Sequence, residues 1–158
     1  YFVHTAALTK PMDVNDRNPL MSLDTNIVGT ANVAKICSKY GIKFIYISTD
    51  FVYGNSELVD EESEVKPLNN YGWSKLGGEC IARLIEGSLI LRCSLCDIPF
   101  RHIILKVKDE VGIINVGGEY QSVYNFVSKH QSIEKASGSH IAPSLRLENK
   151  KLKGIISE

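Results

Sequence analysis

Tyr71, Gly72, Trp73, Ser74 and Lys75 spell Y-x-x-x-K, and Thr49 ends the apolar run Lys43-Phe-Ile-Tyr-Ile-Ser48 upstream of that tyrosine. Residues four apart on a helix share a face, with Cβ atoms roughly 5–6 Å apart, so an ammonium at position 75 can act on a phenol at position 71. A free tyrosine titrates near 10, and bringing it to a neutral working pH takes about three units, or roughly 4 kcal/mol. One cation in a site shielded from water supplies a good part of that. The spacing therefore predicts Tyr71 as a proton donor of lowered pKa, Lys75 as its activating cation, and Thr49 as a hydroxyl arriving from a neighbouring strand. Such a trio suits delivery of a proton to a carbonyl oxygen. Y-x-x-x-K is a weak signal when it stands alone, because solvated helix faces carry Tyr and Lys at this spacing by chance.

The elements that must hold these groups follow from periodicity. Asn18-Pro19 supplies an N-cap and N1 pair, and Gly41 closes the helix after Tyr40. Between them Leu20, Leu23, Ile27, Ala31, Ala34 and Cys37 recur at three and four, predicting a face packed on a sheet. Phe44-Ile-Tyr-Ile47 and Leu89-Ile-Leu91 are nearly continuous apolar runs, as strands covered on both sides should be. In the helix that carries Tyr71, the residues Leu76, Cys80, Ile81, Leu84 and Ile85 predict the packing stripe. Tyr71, Lys75, Gly78 and Ala82 form a second line with room for a cofactor or a partner helix. Gly77 and Gly78 argue against a solvated face, since a surface helix gains roughly 1 kcal/mol from Ala over Gly. Strand and helix alternate along the chain, which predicts parallel α/β architecture.

Composition excludes several classes. The 158 residues are 44% hydrophobic and carry 18 residues of each charge sign, so no basic footprint invites nucleic acid. No stretch approaches the roughly 18 apolar residues that cross a membrane, and a cytoplasmic protein is expected. Cys37 and Cys80 fall on apolar helix faces, while Cys93 and Cys96 have C-x-x-C spacing without a second pair or a histidine at finger-like spacing. His4, His102, His130 and His140 are scattered, so no metal site is expected. The acidic run Glu57-Leu-Val-Asp-Glu-Glu-Ser-Glu64 reads as a solvated loop without a ligand.

Ser48-Thr-Asp-Phe-Val-Tyr-Gly54, followed after a proline-containing loop by Tyr71-Gly-Trp-Ser-Lys75, resembles the extended short-chain dehydrogenase/reductase family, in its dTDP-4-dehydrorhamnose reductase-like branch. Val3-His-Thr-Ala-Ala7 with Thr9, Asn26-Ile-Val-Gly-Thr30, Ile90-Leu-Arg92 and Gly112-Ile-Ile-Asn-Val-Gly-Gly118 match in the expected order. The resemblance implies a Rossmann-type doubly wound parallel sheet and NAD(P)H-dependent reduction of a nucleotide-activated 4-keto-6-deoxy sugar, with NADP or NAD as cofactor. In that role Tyr71 protonates the keto oxygen, Lys75 lowers the Tyr71 pKa and binds the nicotinamide ribose, and Thr49 holds the carbonyl oxygen. Ala6, Ala7 and Thr9 fall where the family's fourth-strand loop passes the cofactor, and Asn26 looks structural. His4 belongs to a strand-end motif and orients backbone. A homodimer is implied by the resemblance only. Alternatives are an epimerase or dehydratase of the same family, and a non-catalytic subunit resembling the regulatory subunit of methionine adenosyltransferase.

The family's glycine-rich G-x-x-G-x-x-G turn, which receives the pyrophosphate at a helix N-terminus, has no counterpart in these residues. Tyr1-Phe-Val already resembles the fourth strand, so the sheet is incomplete at the N-terminus and roughly two βαβ units of about 30 residues are expected before it. A second discontinuity is expected at Arg101-His102, where Ile103-Ile-Leu-Lys-Val107 starts a helical pattern without a capping residue. A helix stopped early is expected at Phe126–Gln131. Residues 1–100 are thus read as the C-terminal part of a dinucleotide-binding domain. Residues 101–158 are read as a small remnant of a substrate lobe plus a strand at about 113–116 returning to the sheet.

Overall fold

The structure, a computed structural model, describes residues 1–9, 12–94, 99–117 and 146–157, the side chains of 12–14 excepted. Cys96, His130, His140 and the Phe126–Gln131 helix therefore lie outside the described residues.

Four parallel strands, β1 (Phe2–His4), β2 (Phe44–Thr49), β3 (Leu89–Cys93) and β4 (Gly112–Val116), lie side by side in chain order. Phe2 is opposite Phe44, Ile45 opposite Leu89, and Leu89 opposite Gly112. The strands read as unbroken apolar runs because both faces are covered. Phe44, Tyr46 and Ile90 pack on one side with Ala34 and Cys37 of α3 (Gly29–Lys39) and Ala82 of α4 (Asn70–Arg83). Ile45, Leu89, Leu91, Ile114 and Val116 pack on the other with Ile103, Ile104 and Val107 of α5 (Phe100–Val107) and Leu152 of α6 (Lys150–Ile156). This is a three-layer, Rossmann-like α/β fold, as expected. The helices that link β1 to β2 and β2 to β3 lie on one face, and the helix before β4 lies on the other. Since every step moves the same way along the sheet, the last crossover has the opposite hand to the first two, against the strong general preference for one hand.

Two faces differ from their expected roles. Before α3 the chain runs through α1 (Met12–Arg17), α2 (Pro19–Ser22) and a π-helical turn, Leu23–Val28. That turn shifts the helix phase, so Ser22, Asn26 and Thr30 point inward ahead of Ala34 and Cys37, while Leu20 is 69% exposed. The inward line is polar because each member has a partner: Ser22 donates to Asn15 (2.5 Å), Thr30 meets His4 (3.0 Å), and Asn26 bonds three groups. In α4 Leu76, Ile81 and Ile85 of the expected stripe pack half-buried against the cores, but the deeper face is the second line. Gly72, Ser74, Lys75, Gly78, Glu79 and Ala82 are buried, whereas Cys80 is exposed and Leu84 is 81% exposed. The helix lies so close to the sheet that a Cβ on Gly78 would sit 2.1 Å from the Tyr46 hydroxyl and one on Gly77 would sit 2.6 Å from Ile27 Cδ1. The room beside Gly77 and Gly78 is filled by the protein's own β2 and π turn.

Other expectations resolve more simply. The Asn18 side chain accepts from Met21 N–H and Pro19 is the first residue of α2. Gly41 takes a left-handed φ of 61° after α3, which Cβ-bearing residues rarely adopt. The helix expected at Ile103 begins at Phe100 behind Pro99 and runs unbroken past His102. The acidic run is anchored rather than merely solvated: Val59 exchanges backbone hydrogen bonds with Arg146 and Glu148, and the Glu61 carboxylate accepts from Asn115 N–H at 2.8 Å.

Candidate active site

Thr49 is the last residue of β2, and its hydroxyl caps the following 3-10 turn, Asp50–Val52, by accepting from Phe51 N–H at 3.3 Å. The same side chain donates to the Asp50 carboxylate at 3.2 Å and lies near enough to the Tyr71 phenol to draw its pKa down. Tyr71 stands in the first turn of α4, whose N-terminus is fixed by Asn69 accepting from Gly72 N–H at 2.8 Å. A Cβ on Gly72 would come within 2.4 Å of the Phe51 carbonyl oxygen, so the start of α4 presses directly on the turn after β2. Phe51 meets the Tyr71 ring edge-on at 5.7 Å. Sequence-distant Thr49 and Tyr71 are thereby brought to the same end of the sheet.

Lys75 is one turn further along and 3% exposed. Its ammonium donates to the Ile47 carbonyl at 2.7 Å and lies 4.2 Å from the centre of the Tyr46 ring. Burial drives its pKa down to about 8, with Cys93 and the Glu79 carboxylate acting in the opposite direction. The Tyr71 phenol is displaced upward from its ordinary value, mainly by burial, and the Thr49 hydroxyl opposes this only in part. The expected lowering by Lys75 is thus corrected for this structure. The ammonium is committed to the β2 backbone, and withdrawal from water outweighs the help the phenolate receives.

The loop after β1 completes this end of the sheet. Ala6 and Thr9 are exposed and Ala7 is half-buried. Leu8, between them, is gripped by Asn26, which accepts from Leu8 N–H at 2.7 Å and donates to its carbonyl at 3.2 Å. Asn26 also donates to Ser74 Oγ at 2.8 Å, and Ser74 in turn donates to the Tyr71 carbonyl at 2.8 Å. One amide thus ties the loop of Ala6, Ala7 and Thr9 to the helix of Tyr71 and Lys75. This is the structural role expected for Asn26, and it rests on the π turn, a feature that often marks functional sites. His4 bonds Thr30 and packs its ring between Phe44 and Tyr46. Burial and then Lys75 lower its pKa, so it stays neutral and structural. Among the described residues no cluster of His, Cys, Asp and Glu could hold a metal, and no helix is long and apolar enough to cross a membrane.

Three polar residues were given no role from the sequence. Asp50 sits beside Thr49, and burial raises its carboxyl above the usual range while bonds from Ser94 and Thr49 oppose the rise. Glu79 and Arg92, each 1% exposed, form an ion pair at 2.8 Å behind Lys75. The signal was present for both: an arginine inside the run Leu89-Ile-Leu-Arg-Cys93, and a glutamate one turn after Lys75.

A family profile described as the RmlD substrate binding domain matches residues 1–96. The beta subunit of methionine adenosyltransferase 2 from Xenopus laevis is 37% identical over 92 residues, covering 57% of this chain and 27% of that protein. A dTDP-glucose 4,6-dehydratase from Mycobacterium tuberculosis is 30% identical over 111 residues, covering 64% of this chain and 33% of its own length. The chain thus spans about a quarter to a third of the curated relatives it matches. Among solved structures, a hypothetical dTDP-4-dehydrorhamnose reductase from Sulfolobus tokodaii aligns with a TM-score of 0.80 at 22% identity, over 98% of this chain and 73% of that one. The Bacillus anthracis dTDP-4-dehydrorhamnose reductase in complex with NADP aligns with a TM-score of 0.73 at 21% identity, over 96% and 72%. These two likenesses establish the fold.

Proposed function

Because the chain belongs to the RmlD substrate-binding domain family, we propose that it carries the catalytic residues of an NAD(P)H-dependent reductase of a nucleotide-activated 4-keto-6-deoxy sugar. The observation that carries this reading is the packing of the start of α4, with Tyr71, against the turn that follows Thr49 at the C-terminal end of β2, with Lys75 anchored two residues back on the same strand. The reduced nicotinamide supplies the hydride. Tyr71 gives its phenolic proton to the keto oxygen, and the Thr49 hydroxyl holds that oxygen in line. The phenolate left behind is favoured by Thr49. An ammonium has three donors and Lys75 gives one to Ile47, which leaves donors for ribose hydroxyls. Ala6, Ala7 and Thr9, on a loop pinned at the same sheet end, suit close passage of a cofactor. In this reading residues 1–100 belong to the dinucleotide-binding part and residues 101–158 to the substrate lobe, apart from β4. A cytoplasmic homodimer accompanies it.

The test is substrate-dependent oxidation of NADPH, followed at 340 nm, in the wild type and in Tyr71→Phe. Loss of a general acid costs about 10² or more in kcat, with cofactor affinity nearly kept. Full activity in Tyr71→Phe would remove Tyr71 from the mechanism, and turnover without net cofactor oxidation would favour an epimerase or dehydratase.

A second reading is favoured by the raised Tyr71 pKa, by Lys75 bonding the backbone, and by the likeness to the methionine adenosyltransferase beta subunit. Here the fold serves as a partner subunit. It predicts co-purification with a synthetase and no functional change in Tyr71→Phe.

A further inference from the structure

Two successive residues of β2 are each held by a different residue of α4, and the next faces a third. The Ile47 carbonyl accepts from Lys75 at 2.7 Å, the Ser48 hydroxyl donates to Glu79 Oε1 at 2.6 Å, and the Thr49 hydroxyl lies near the Tyr71 phenol. The Ser48–Glu79 grip is the deeper. Glu79 is 1% exposed, and the Arg92 guanidinium clasps it from β3 through Nε to Oε1 at 3.0 Å and Nη2 to Oε2 at 2.8 Å. Arg92 is itself held by the Tyr53 hydroxyl at 2.8 Å. A buried ion pair is seldom more stable than apolar residues of the same volume, so its presence behind a reactive site points to a task beyond packing.

We propose that Glu79 is a positioning residue for the proton-transfer site: clamped by Arg92, it fixes Ser48, and with it Thr49, while placing its carboxylate one helical turn from the Lys75 ammonium. This rests on the reductase reading of the same site. The groups facing Lys75 are His4 from β1, Tyr46 from β2, Cys93 from β3 and Glu79 from its own helix, with Tyr71 one turn before it. Asp50 lies beyond Tyr71. Of these, Glu79 is a paired carboxylate in direct contact with β2.

The charge arm is read by NMR of the lysine Cε resonances in 13C-lysine-labelled protein across pH 5–11, with the Lys75 signal identified by its loss in Lys75→Met. Wild-type Lys75 should titrate at about 8, and Glu79→Gln, which keeps a hydrogen-bond acceptor for Ser48 but removes the charge, should move the midpoint downward. An unmoved or higher midpoint in folded Glu79→Gln overturns the proposal. Should that variant not fold, the wild-type midpoint decides: a value of about 5–6, as found for buried lysines lacking support from an anion, overturns it. The geometric arm is Ser48→Ala, which should lower kcat tenfold or more while leaving KM for NADPH unchanged, the pattern of a displaced reacting group. An unchanged kcat overturns it. Failure of the reductase reading shows separately as Tyr71→Phe without effect, and the NMR midpoint needs no turnover.

Discussion

Lys75 makes the folded protein sensitive to alkali in a defined direction. Its folded pKa of about 8 lies below the ordinary 10.5 of a lysine, so the unfolded chain holds that proton more tightly. Stability therefore rises with pH once the folded lysine loses its proton, and the charged form costs about 3 kcal/mol below that point, from 1.36 kcal/mol per unit. Cys37, raised from its usual 9.0 by burial, and Tyr46, Tyr53 and Tyr71, raised from 10.0, act the other way at higher pH, because the folded state keeps their protons longer. The lysine effect is thus isolated between about pH 8 and 9. Urea denaturation across that interval should show stability climbing in the wild type and a flatter profile in Lys75→Met. Equal slopes would show that the lysine is not titrating as a buried group. At this scale the Tyr71–Lys75 spacing was legible as one helix face. The acceptor of the ammonium was not, because Ile47 lies on another element.

Among the helices, α4 decides the geometry. Its buried line of Gly72, Ser74, Lys75, Gly78, Glu79 and Ala82 looks polar in sequence and yet faces the sheet. Close approach selects small residues, and the two charged ones are satisfied by the Ile47 carbonyl and Arg92. The two adjacent glycines should respond differently to alanine. At Gly78 the new Cβ meets the hydroxyl and ring of fully buried Tyr46 at 2.1 and 2.5 Å, and overpacking of this kind costs about 1–3 kcal/mol. At Gly77 the Cβ meets the flexible end of half-buried Ile27, which can turn aside, so much of the roughly 1 kcal/mol helix-propensity gain is kept. Thermal unfolding of the two variants should place Gly78→Ala clearly below Gly77→Ala. The reverse order would contradict the packing described. Hydrophobic periodicity missed this face because it ranks residues by apolarity, whereas helix-to-sheet distance here ranks them by size.

For the whole molecule, the Glu79–Arg92 pair links α4, β2 and β3, and through Tyr53 and Asn115 it reaches β4. Arg92→Met would leave a buried carboxylate without its partner, a change that costs about 3–5 kcal/mol. Arg92→Met combined with Glu79→Leu should recover a large share of that loss in urea denaturation. A single variant as stable as the wild type would mean that the pair carries little of the fold.

The order of strands and helices, the caps at Asn18 and Gly41, and the spacing of Tyr71 and Lys75 are local facts, fixed by residues a few positions apart, and the sequence alone determined them. The inward line Ser22, Asn26 and Thr30, the burial of Glu79 with Arg92, and the attachment of Lys75 to Ile47 each join positions separated by many residues. Such pairings are chosen by which elements pack together and how closely. A polar side chain becomes an interior one only when tertiary contact supplies its hydrogen-bond partner, and no local pattern announces where that partner will be.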